Sequence, residues 1–353
     1  MIEPKFDFDD ILIEPCEIST IESRKQVNVL DDNNFLPLFT APMDTVLNKD
    51  NYHLFIENNI YSVLPRNIDI PDLSFDKTNF ISFSLNQFEK LFIIDKIKLD
   101  KKTYVLIDVA NGNMQNLFDA IKQTKNIYGE MLCLMVGNIG NPKTYSLLSD
   151  AGADFVRCGI GNGSGCLTTE QSSIGYPMAS LISEVYKLSC ELKNPAKIIA
   201  DGGFKKYADI IKGLALGADY IMLGGLFNKA LESCGETIIE NKKHNGWVEP
   251  GDVVDQYSDV TRTMFQNGTR LFKKFRGMST KEVQKSLGNT NIKTSEGITK
   301  MNEVEFTISS WVENFKHYLS SAMSYTGKKN LYEFIGKVNY NMITENSFKR
   351  FNK

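Results

Sequence analysis

Two segments of the chain repeat one short pattern, and this repeat predicts the fold. They are Gly152-Ala153-Asp154-Phe155-Val156 and Gly217-Ala218-Asp219-Tyr220-Ile221. In each segment a glycine follows a helical pattern of apolar residues, and an apolar run then ends at a second glycine, Gly159 or Gly224. A helix, a short turn and a buried strand fit this order, so the repeat indicates an alternating α/β plan.

Apolar runs of the same kind recur along the chain, separated by helical patterns, and they are nearly continuous in apolar character, as buried parallel strands are. The eight predicted strands cover residues 36–39, 60–64, 80–84, 104–108, 131–136, 155–158, 197–200 and 220–223. The predicted helices between them cover residues 113–128, 142–150, 178–192 and 206–216. Eight such units predict a (β/α)8 TIM barrel, and the strand count favours it over the alternative, an open doubly wound sheet.

The whole chain, residues 1–353, is expected to form a single catalytic barrel domain with a helical C-terminal segment and a tail. The segment at about 236–274 is polar and fits neither the strand period nor the helix period. It is therefore interpreted as an excursion between the eighth strand and the last helices. A lid, a subunit contact and a partly disordered insert are the three alternatives for it.

The composition argues against several classes of protein. Hydrophobic residues at 42% and charged residues at 24% are ordinary for a globular protein, and the net charge of -3 disfavours a nucleic-acid binder. The six cysteines lack CxxC spacing, which is typical of reduced thiols in a cytoplasmic protein. No apolar run approaches the roughly 18 residues that span a membrane. The three histidines lie far in sequence from the glycine-rich loop described next, which disfavours a histidine-rich metal site there.

The loop after the sixth predicted strand is the strongest candidate for chemistry. It reads Arg157-Cys158-Gly159-Ile160-Gly161-Asn162-Gly163-Ser164-Gly165-Cys166-Leu167-Thr168-Thr169. Its alternate glycines permit positive φ and close backbone approach, so the loop can surround an ion or a phosphate. The thiol of Cys166 is a candidate nucleophile at the catalytic end of the barrel. By itself, the pattern is equally compatible with a surface turn that carries a small buried cysteine.

Polar or glycine-rich clusters follow most of the other predicted strands. Because the C-terminal ends of barrel strands meet on one rim, these clusters are expected to lie together. Glycine pairs after the last two strands suit a phosphate, since backbone N–H groups must approach its oxygens closely. Taken singly, each cluster is more often a turn than a site. The clusters are residues 40–45, Arg66 with Asn67, residues 108–112, Gly137 with Asn138, residues 201–203, and Gly224 with Gly225.

Together these motifs make the chain similar to the IMP dehydrogenase / GMP reductase family over nearly its whole length. The order and spacing of the motifs match those of the family, whose fold is a (β/α)8 barrel. The matching segments are Phe8-Asp9-Asp10-Ile11-Leu12, Ser23-Arg24, Ala41-Pro42-Met43-Asp44-Thr45-Val46, residues 108–112, 159–168, 201–203 and 217–225, Gly277-Met278-Ser279 and Ser295-Glu296-Gly297.

Within this family the chain most resembles the reductase branch. Too few residues separate Arg66 from Tyr104 to hold the CBS modules that the dehydrogenases usually carry, so no CBS insertion is expected. Between Met278 and Ser295 the chain has neither arginine nor tyrosine, the pair with which the dehydrogenases activate water. Residues that depart from the usual reductase sequence are Arg66, Arg157, Leu167 and Thr169.

The resemblance implies NADPH-dependent reductive deamination of GMP to IMP and ammonia, through a thioimidate on Cys166. Thr168 and Glu296 match the pair of the family that transfers protons. A K+ ion and a homotetramer are also implied, with a small-molecule purine nucleotide as the ligand and neither nucleic acid nor membrane as a partner. Three alternatives stay open: an IMP dehydrogenase without CBS modules, a non-catalytic nucleotide-binding barrel, and a different phosphate-binding barrel enzyme.

The resemblance also assigns the remaining site residues by position. Those for the substrate are Asp201, Gly202, Gly203, Gly224, Gly225, Gly277, Met278, Ser279, Lys293, Ser295 and Gly297. Those for the dinucleotide are Ser23, Arg24, Arg66, Asp108, Val109, Ala110, Ser321, Ala322, Met323 and Ser324. Those for the monovalent cation are Gly161, Gly163, Cys166 and Thr169. Arg24 favours NADPH over NADH, because a guanidinium suits a 2′-phosphate.

Overall fold

The computed structural model describes residues 4–66, 76–240, 250–278, 280, 281 and 297–351 of the 353-residue chain. The strands in these ranges are β1 (Ile11–Ile13), β2 (Leu38–Thr40), β3 (Ser62–Leu64), β4 (Asn79–Phe83), β5 (Thr103–Asp108), β6 (Leu132–Ile139), β7 (Phe155–Cys158), β8 (Lys197–Asp201), β9 (Tyr220–Leu223), β10 (Thr237–Glu240), β11 (Pro250–Val254), β12 (Leu271–Arg276), β13 (Thr299–Glu303) and β14 (Tyr340–Met342). The α-helices are α1 (Tyr52–Glu57), α2 (Leu85–Phe88), α3 (Gln115–Tyr128), α4 (Pro142–Ala151), α5 (Thr168–Ser172), α6 (Met178–Ser189), α7 (Tyr207–Ala215), α8 (Gly225–Asn228), α9 (Asp259–Gln266), α10 (Ile308–Tyr325), α11 (Leu331–Phe334) and α12 (Glu345–Phe351). Short 3-10 turns cover Phe8–Asp10, Arg24–Gln26 and Gly129–Met131, and a π-helical turn covers Glu89–Ile94.

Eight of these strands form a parallel barrel in the order β2-β9-β8-β7-β6-β5-β4-β3. The ring closes next to β3, where the N–H of Thr40 donates to the carbonyl of Tyr61 (2.9 Å) and the N–H of Tyr61 donates to the carbonyl of Leu38 (3.0 Å). The predicted (β/α)8 fold is therefore confirmed, and β7 and β9 have the predicted bounds. The strand β6 is longer than predicted, because Gly137 continues the pairing with Asp108 on β5.

Large aromatic side chains fill the centre of the barrel. Phe39 stacks on Tyr61 with ring centroids 4.8 Å apart, and Phe80 meets Phe39 edge-on at 5.6 Å. Phe155 packs edge-on against Phe80 at 5.5 Å, and each such pair adds about 0.5–1.5 kcal/mol to the area it buries. The hydroxyl of Tyr61 donates to Asp31 at 2.5 Å, which satisfies its polar atom. The filled barrel gives the loops at its C-terminal end a rigid base.

The outer helices begin and end where the sequence supplies caps. At α4, the side chain of Asn141 accepts the N–H of Lys143 (2.9 Å), Pro142 is the first helical residue, and Gly152 ends the helix with φ of 106°. The four helices predicted from the sequence are confirmed as α3, α4, α6 and α7, with small differences at their ends. In the described ranges, no helix is long and apolar enough to cross a membrane.

The segment at 236–274 was expected to be a polar excursion, but its described part is regular secondary structure. It contains β10, β11, α9 and β12, and it builds an antiparallel sheet in the order β11-β10-β12-β13. The residues 241–249 of this segment lie outside the described part of the chain. These four strands are called the second sheet below, and β1 and β14 pair in a third, two-stranded sheet.

A buried lysine explains why the sequence does not reveal β12. Its inward positions are Leu271, Lys273 and Phe275, so a charge interrupts the apolar alternation that would mark a strand. The Lys273 ammonium is fully buried and donates to the carbonyls of Leu231 (2.7 Å) and Ser233. These bonds tie the second sheet to the chain that follows α8.

Candidate active site

One cavity of about 280 Å³ opens at the C-terminal ends of the barrel strands. The loops after β2, β5, β7, β8 and β9 all reach it, together with Asn138 near the end of β6 and with the end of β12, which is where a barrel places its chemistry. The predicted site residues that line this cavity are Cys166, Thr168, Asp201, Gly202, Gly203, Gly224, Gly225, Gly277, Met278, Asp108, Ala110, Gly161 and Gly163.

Two glycines determine the course of the loop after β7. Gly159 has φ of 139°, and a methyl group there would lie 2.1 Å from the carbonyl oxygen of Asp201. Gly161 has φ of 82°, and a methyl group there would lie 1.7 Å from the hydroxyl oxygen of Thr169. Other residues adopt such φ values only at a cost, so both positions require glycine. The loop consequently packs against the end of β8 and folds back on itself.

The thiol of Cys166 lies on the cavity wall. It is partly exposed, and its Sγ donates to the hydroxyl oxygen of Thr168 at 3.2 Å. Burial raises the pKa of the Cys133 and Cys158 thiols, and it raises the pKa of Cys234 to about 12, so these three are inert packing residues. Among the described residues that line the cavity, Cys166 supplies the one thiol.

The second sheet holds the thiol loop in place. The N–H of Ile298 donates to the carbonyl of Gly165 at 3.1 Å, and the N–H of Gly277 donates to the carbonyl of Ile298 at 2.9 Å. Cys166 and Gly297 form an antiparallel bridge. Cys166 is therefore fixed by backbone contacts to the ends of β12 and β13 as well as by its own loop.

A row of charged side chains borders the same cavity. Arg66 donates through Nε to Asp108 (2.9 Å), and Arg157 donates to Asp108 (2.8 Å) and to Asp201 (2.7 Å). The side-chain amide of Asn138 donates to the same oxygen of Asp201 at 2.8 Å. Burial raises the pKa of Asp108, but the charges of Arg66 and Arg157 outweigh it and hold that pKa below its usual value. The carboxylate of Asp108 is therefore ionised at neutral pH.

The glycines after β8 and β9 leave backbone N–H groups uncovered by side chains. Gly202 and Gly203 follow β8, and Gly224 and Gly225 follow β9, all on the cavity wall. The hydroxyl of Ser164 lies 2.4 Å from where a Cβ of Gly225 would stand, so a larger residue there would displace this hydroxyl. Bare backbone donors beside a hydroxyl suit a phosphate group.

The residues expected to bind the dinucleotide fall into two groups. Asp108 and Ala110 line the cavity, Arg66 contacts Asp108, and Val109 is buried behind them. The second group lies away from the cavity, on the 3-10 turn Arg24–Gln26 and on the helix α10 against which this turn packs. Met323 in that helix is fully buried in the core. The members of this second group are Ser23, Arg24, Ser321, Ala322, Met323 and Ser324.

Three of the four residues expected to hold a cation lie in the loop after β7, and Thr169 lies in the short helix α5 that follows it. The carbonyl of Gly163 accepts the N–H of Cys166 at 3.0 Å, and the hydroxyl of Thr169, which lies against Gly161, donates to the carbonyl of Ile174 at 2.7 Å. Each of these oxygens keeps a lone pair for a cation. Four predicted site residues lie outside the described part of the chain: Ser279, Lys293, Ser295 and Glu296.

Three of the cavity residues to which the sequence assigns no role make contacts that shape the site. Arg157 stands inside an otherwise apolar strand, and a charge in that position signals a buried partner, so the sequence carried a usable sign. Asn138 lies on the rim, as predicted for its cluster with Gly137, but its bond to Asp201 is a contact that the sequence does not reveal. Phe275 is buried beneath Gly165, where a methyl group would lie 2.8 Å from its ring, and the broken alternation of β12 concealed it.

Comparison with known proteins agrees with this geometry. The family model described as "IMP dehydrogenase / GMP reductase domain" matches residues 81–248. A GMP reductase of Caenorhabditis elegans is 27% identical over 97% of this chain and 93% of its own length. One from Staphylococcus carnosus is 27% identical over 97% of this chain and 98% of its own length. One from Buchnera aphidicola is 32% identical over 68% of this chain and 73% of its own length. The chain belongs to the IMP dehydrogenase / GMP reductase family.

Proposed function

We propose that the protein is a GMP reductase, an oxidoreductase that converts GMP, NADPH and one proton to IMP, NADP+ and ammonia. The observation that carries this proposal is the Cys166 thiol beside the Thr168 hydroxyl, on the wall of the cavity that Asp201 also lines. A site that only bound a nucleotide would need no thiol and hydroxyl at that position. Relatives named GMP reductase that cover nearly the whole chain support the assignment.

Covalent catalysis divides a difficult displacement at purine C2 into two easier steps. The Cys166 thiolate forms a C–S bond to C2, the C–N bond breaks, and the amino group leaves as ammonia after it gains a proton. The nicotinamide dinucleotide supplies the hydride that then adds to C2 of the thioimidate. The C–S bond breaks, IMP is released and the Cys166 thiolate is restored. Proton transfer at this position is assigned to Thr168 together with Glu296, and the 3.2 Å distance from the Thr168 hydroxyl to Sγ supports the role of the threonine.

The substrate is oriented by the rest of the cavity. Asp201 accepts hydrogen bonds from the ribose hydroxyls, and its oxygen Oδ1 has no protein partner among the described residues. Backbone N–H groups of Gly202, Gly203, Gly224 and Gly225 hold the phosphate. Residues assigned to the base side of the nucleotide are Gly277, Met278, Ser279, Lys293, Ser295 and Gly297.

The dinucleotide is proposed to span two subunits. Asp108 and Ala110 border the cavity near the thiol, so the nicotinamide end fits there. Ser23, Arg24 and residues 321–324 lie together outside that cavity, which is expected if they serve the site of a neighbouring subunit in a homotetramer. Arg24 favours the 2′-phosphate of NADPH over NADH. The proposal also includes a K+ ion, held by Gly161, Gly163, Cys166 and Thr169. A cytoplasmic location is proposed as well, and it rests on the six cysteines that form no disulfide.

The dehydrogenase alternative has one specific observation in its favour. Arg157 resembles the dehydrogenase sequence and lies in the cavity. The assay that separates the two follows nicotinamide absorbance with GMP and NADPH, and then with IMP and NAD+. Turnover in the first mixture supports the reductase, and turnover in the second alone would reject it. A Cys166→Ala variant that retained either activity would reject the covalent mechanism.

A further inference from the structure

Arg157 is a buried arginine that bridges two carboxylates on the cavity wall. Its side chain is 6% exposed. One terminal nitrogen donates to Oδ1 of Asp108 at 2.8 Å, and the other donates to Oδ2 of Asp201 at 2.7 Å. The planar guanidinium presents these two donors in a fixed fork, so it fixes the direction of both carboxylates at once.

The contacts of Asp201 leave one of its oxygens for a ligand. Its Oδ2 accepts from both Arg157 and the amide of Asn138, whereas Oδ1 has no partner among the described residues. Asn138 also donates to the carbonyl of Gly159 at 2.8 Å, at the start of the thiol loop. The orientation of the Asp201 carboxylate is therefore determined by donors that lie behind it.

The contacts of Asp108 differ, because both of its oxygens are occupied. Arg157 donates to Oδ1 and Arg66 donates to Oδ2. The Nε of Arg157 is also buried, and it has no hydrogen-bond partner in the part of the chain that the structure describes. A buried donor without a partner destabilises a fold, so the placement of Arg157 is not the one that stability alone would favour.

We propose that Arg157 is a positioning residue that gives the site its preference for a ribonucleotide, by holding Asp201 with Oδ1 directed at the ribose hydroxyls. The same fork holds Asp108 on the dinucleotide side, so one residue serves both ligands. This inference rests on the proposed binding of a purine ribonucleotide at this cavity.

Lysine cannot replace arginine in this role. The ammonium of a lysine would stand near the position of the guanidinium carbon, about one bond short of both carboxylates. Arg157→Lys therefore keeps the buried positive charge, and with it the fold, while it removes the fork. Arg157→Met would leave two neighbouring carboxylates with one cation fewer, and it is expected to fold poorly.

The test compares the binding of GMP and of 2′,3′-dideoxy-GMP by calorimetry. A hydrogen bond to a charged acceptor is worth about 1.5–3 kcal/mol, so the natural protein should prefer GMP by about 10–150-fold. In Arg157→Lys we expect this preference to fall below about fivefold, while the affinity for the dideoxy nucleotide stays within about threefold. Arg270→Lys is the matched control, because Arg270 also bridges two carboxylates, Glu240 and Glu303, but does not line the cavity.

Two results would overturn the inference. In the first, the natural protein binds both nucleotides equally, which would mean that Asp201 does not hold the ribose. In the second, Arg157→Lys weakens both nucleotides by the same factor, which is what a merely structural role predicts. Absence of turnover with GMP and NADPH in a protein that still prefers GMP would reject the proposed reaction but leave the role of Arg157 supported.

Kinetics give a second readout. We expect Arg157→Lys to raise KM for both GMP and NADPH by about tenfold, because it releases both carboxylates. Asp201→Asn should raise KM for GMP alone. If Arg157→Lys raised only one of the two constants, the proposed dual role would be refuted.

Discussion

The glycine at position 161 permits a sharp test of the thiol loop. In Gly161→Ala the new methyl group would lie 1.7 Å from the Thr169 hydroxyl, at a residue whose φ is 82°. The positive φ costs about 1–2 kcal/mol, overpacking about 1–3 kcal/mol, and loss of the bond from Thr169 to Ile174 about 0.5–1.5 kcal/mol. The loop must therefore change its conformation, and kcat/KM should fall by at least about 100-fold, because about 3 kcal/mol corresponds to a factor near 150.

Two assays follow this change. One measures kcat/KM with GMP and NADPH, and the other measures the rate at which iodoacetamide alkylates Cys166, which does not depend on the proposed reaction. Gly163→Ala is the matched control for the fold of the loop, since the nearest atom to its methyl group would be the Cβ of Cys166 at 3.9 Å and φ is not positive. Adding Thr169→Ala to Gly161→Ala should bring the alkylation rate of Cys166 part of the way back to that of the natural protein. Equal effects of the two alanine variants on alkylation and thermal stability would refute the reasoning.

Three further changes test other parts of the structure. Phe275→Ala should lower the free energy of unfolding by about 3–5 kcal/mol, because the ring is buried. It should also change the rate at which Cys166 is alkylated, because the ring lies under Gly165. A loss of stability below about 1 kcal/mol in thermal unfolding would contradict this. Burial lowers the pKa of Lys273 to about 7. Between about pH 7 and 10 this lysine therefore carries its proton in the unfolded chain but not in the folded one. The free energy of unfolding should then rise with pH, by at most about 1.4 kcal/mol per pH unit. In Lys273→Met, the free energy of unfolding measured by chemical denaturation should no longer rise over this pH range. The same pH dependence in the variant and the natural protein would contradict the role of Lys273. Tyr61→Phe should cost about 1–2 kcal/mol in chemical denaturation, since it removes the donor to Asp31, and an unchanged midpoint would reject this role.

The barrel could be predicted because its strands are buried on both faces. Such strands read as continuous apolar runs, and β7 and β9 each end at a glycine that begins a loop. The predicted rim of functional residues followed directly, since all parallel strands present their C-terminal ends on one side. The strand β6 extends beyond its prediction because Gly137 resembles the start of a loop in sequence, yet it pairs with Asp108 and Arg157, and the pairing resumes at Ile139 after an irregularity.

Long-range pairing was beyond the reach of the sequence. The charge of Arg157 signals that a partner exists, but only the fold shows that Asp108 and Asp201 are those partners. Likewise, a lysine at an inward position of β12 reads as exposed until the carbonyls of Leu231 and Ser233 are seen around it. The separation of Ser23 and Arg24 from the cavity also depends on tertiary structure.

The contact between the second sheet and the thiol loop makes the nucleophile depend on two structures at once. The N–H of Ile298, just before β13, donates to the carbonyl of Gly165, and Cys166 bridges Gly297. The strands β12 and β13 pair over five residue pairs, so these contacts hold only while the second sheet is paired. A substitution that separates β12 from β13 should therefore release the thiol loop while the barrel beneath it stays folded. The reactivity of the cysteine can then change at a lower temperature than the one at which the barrel itself unfolds.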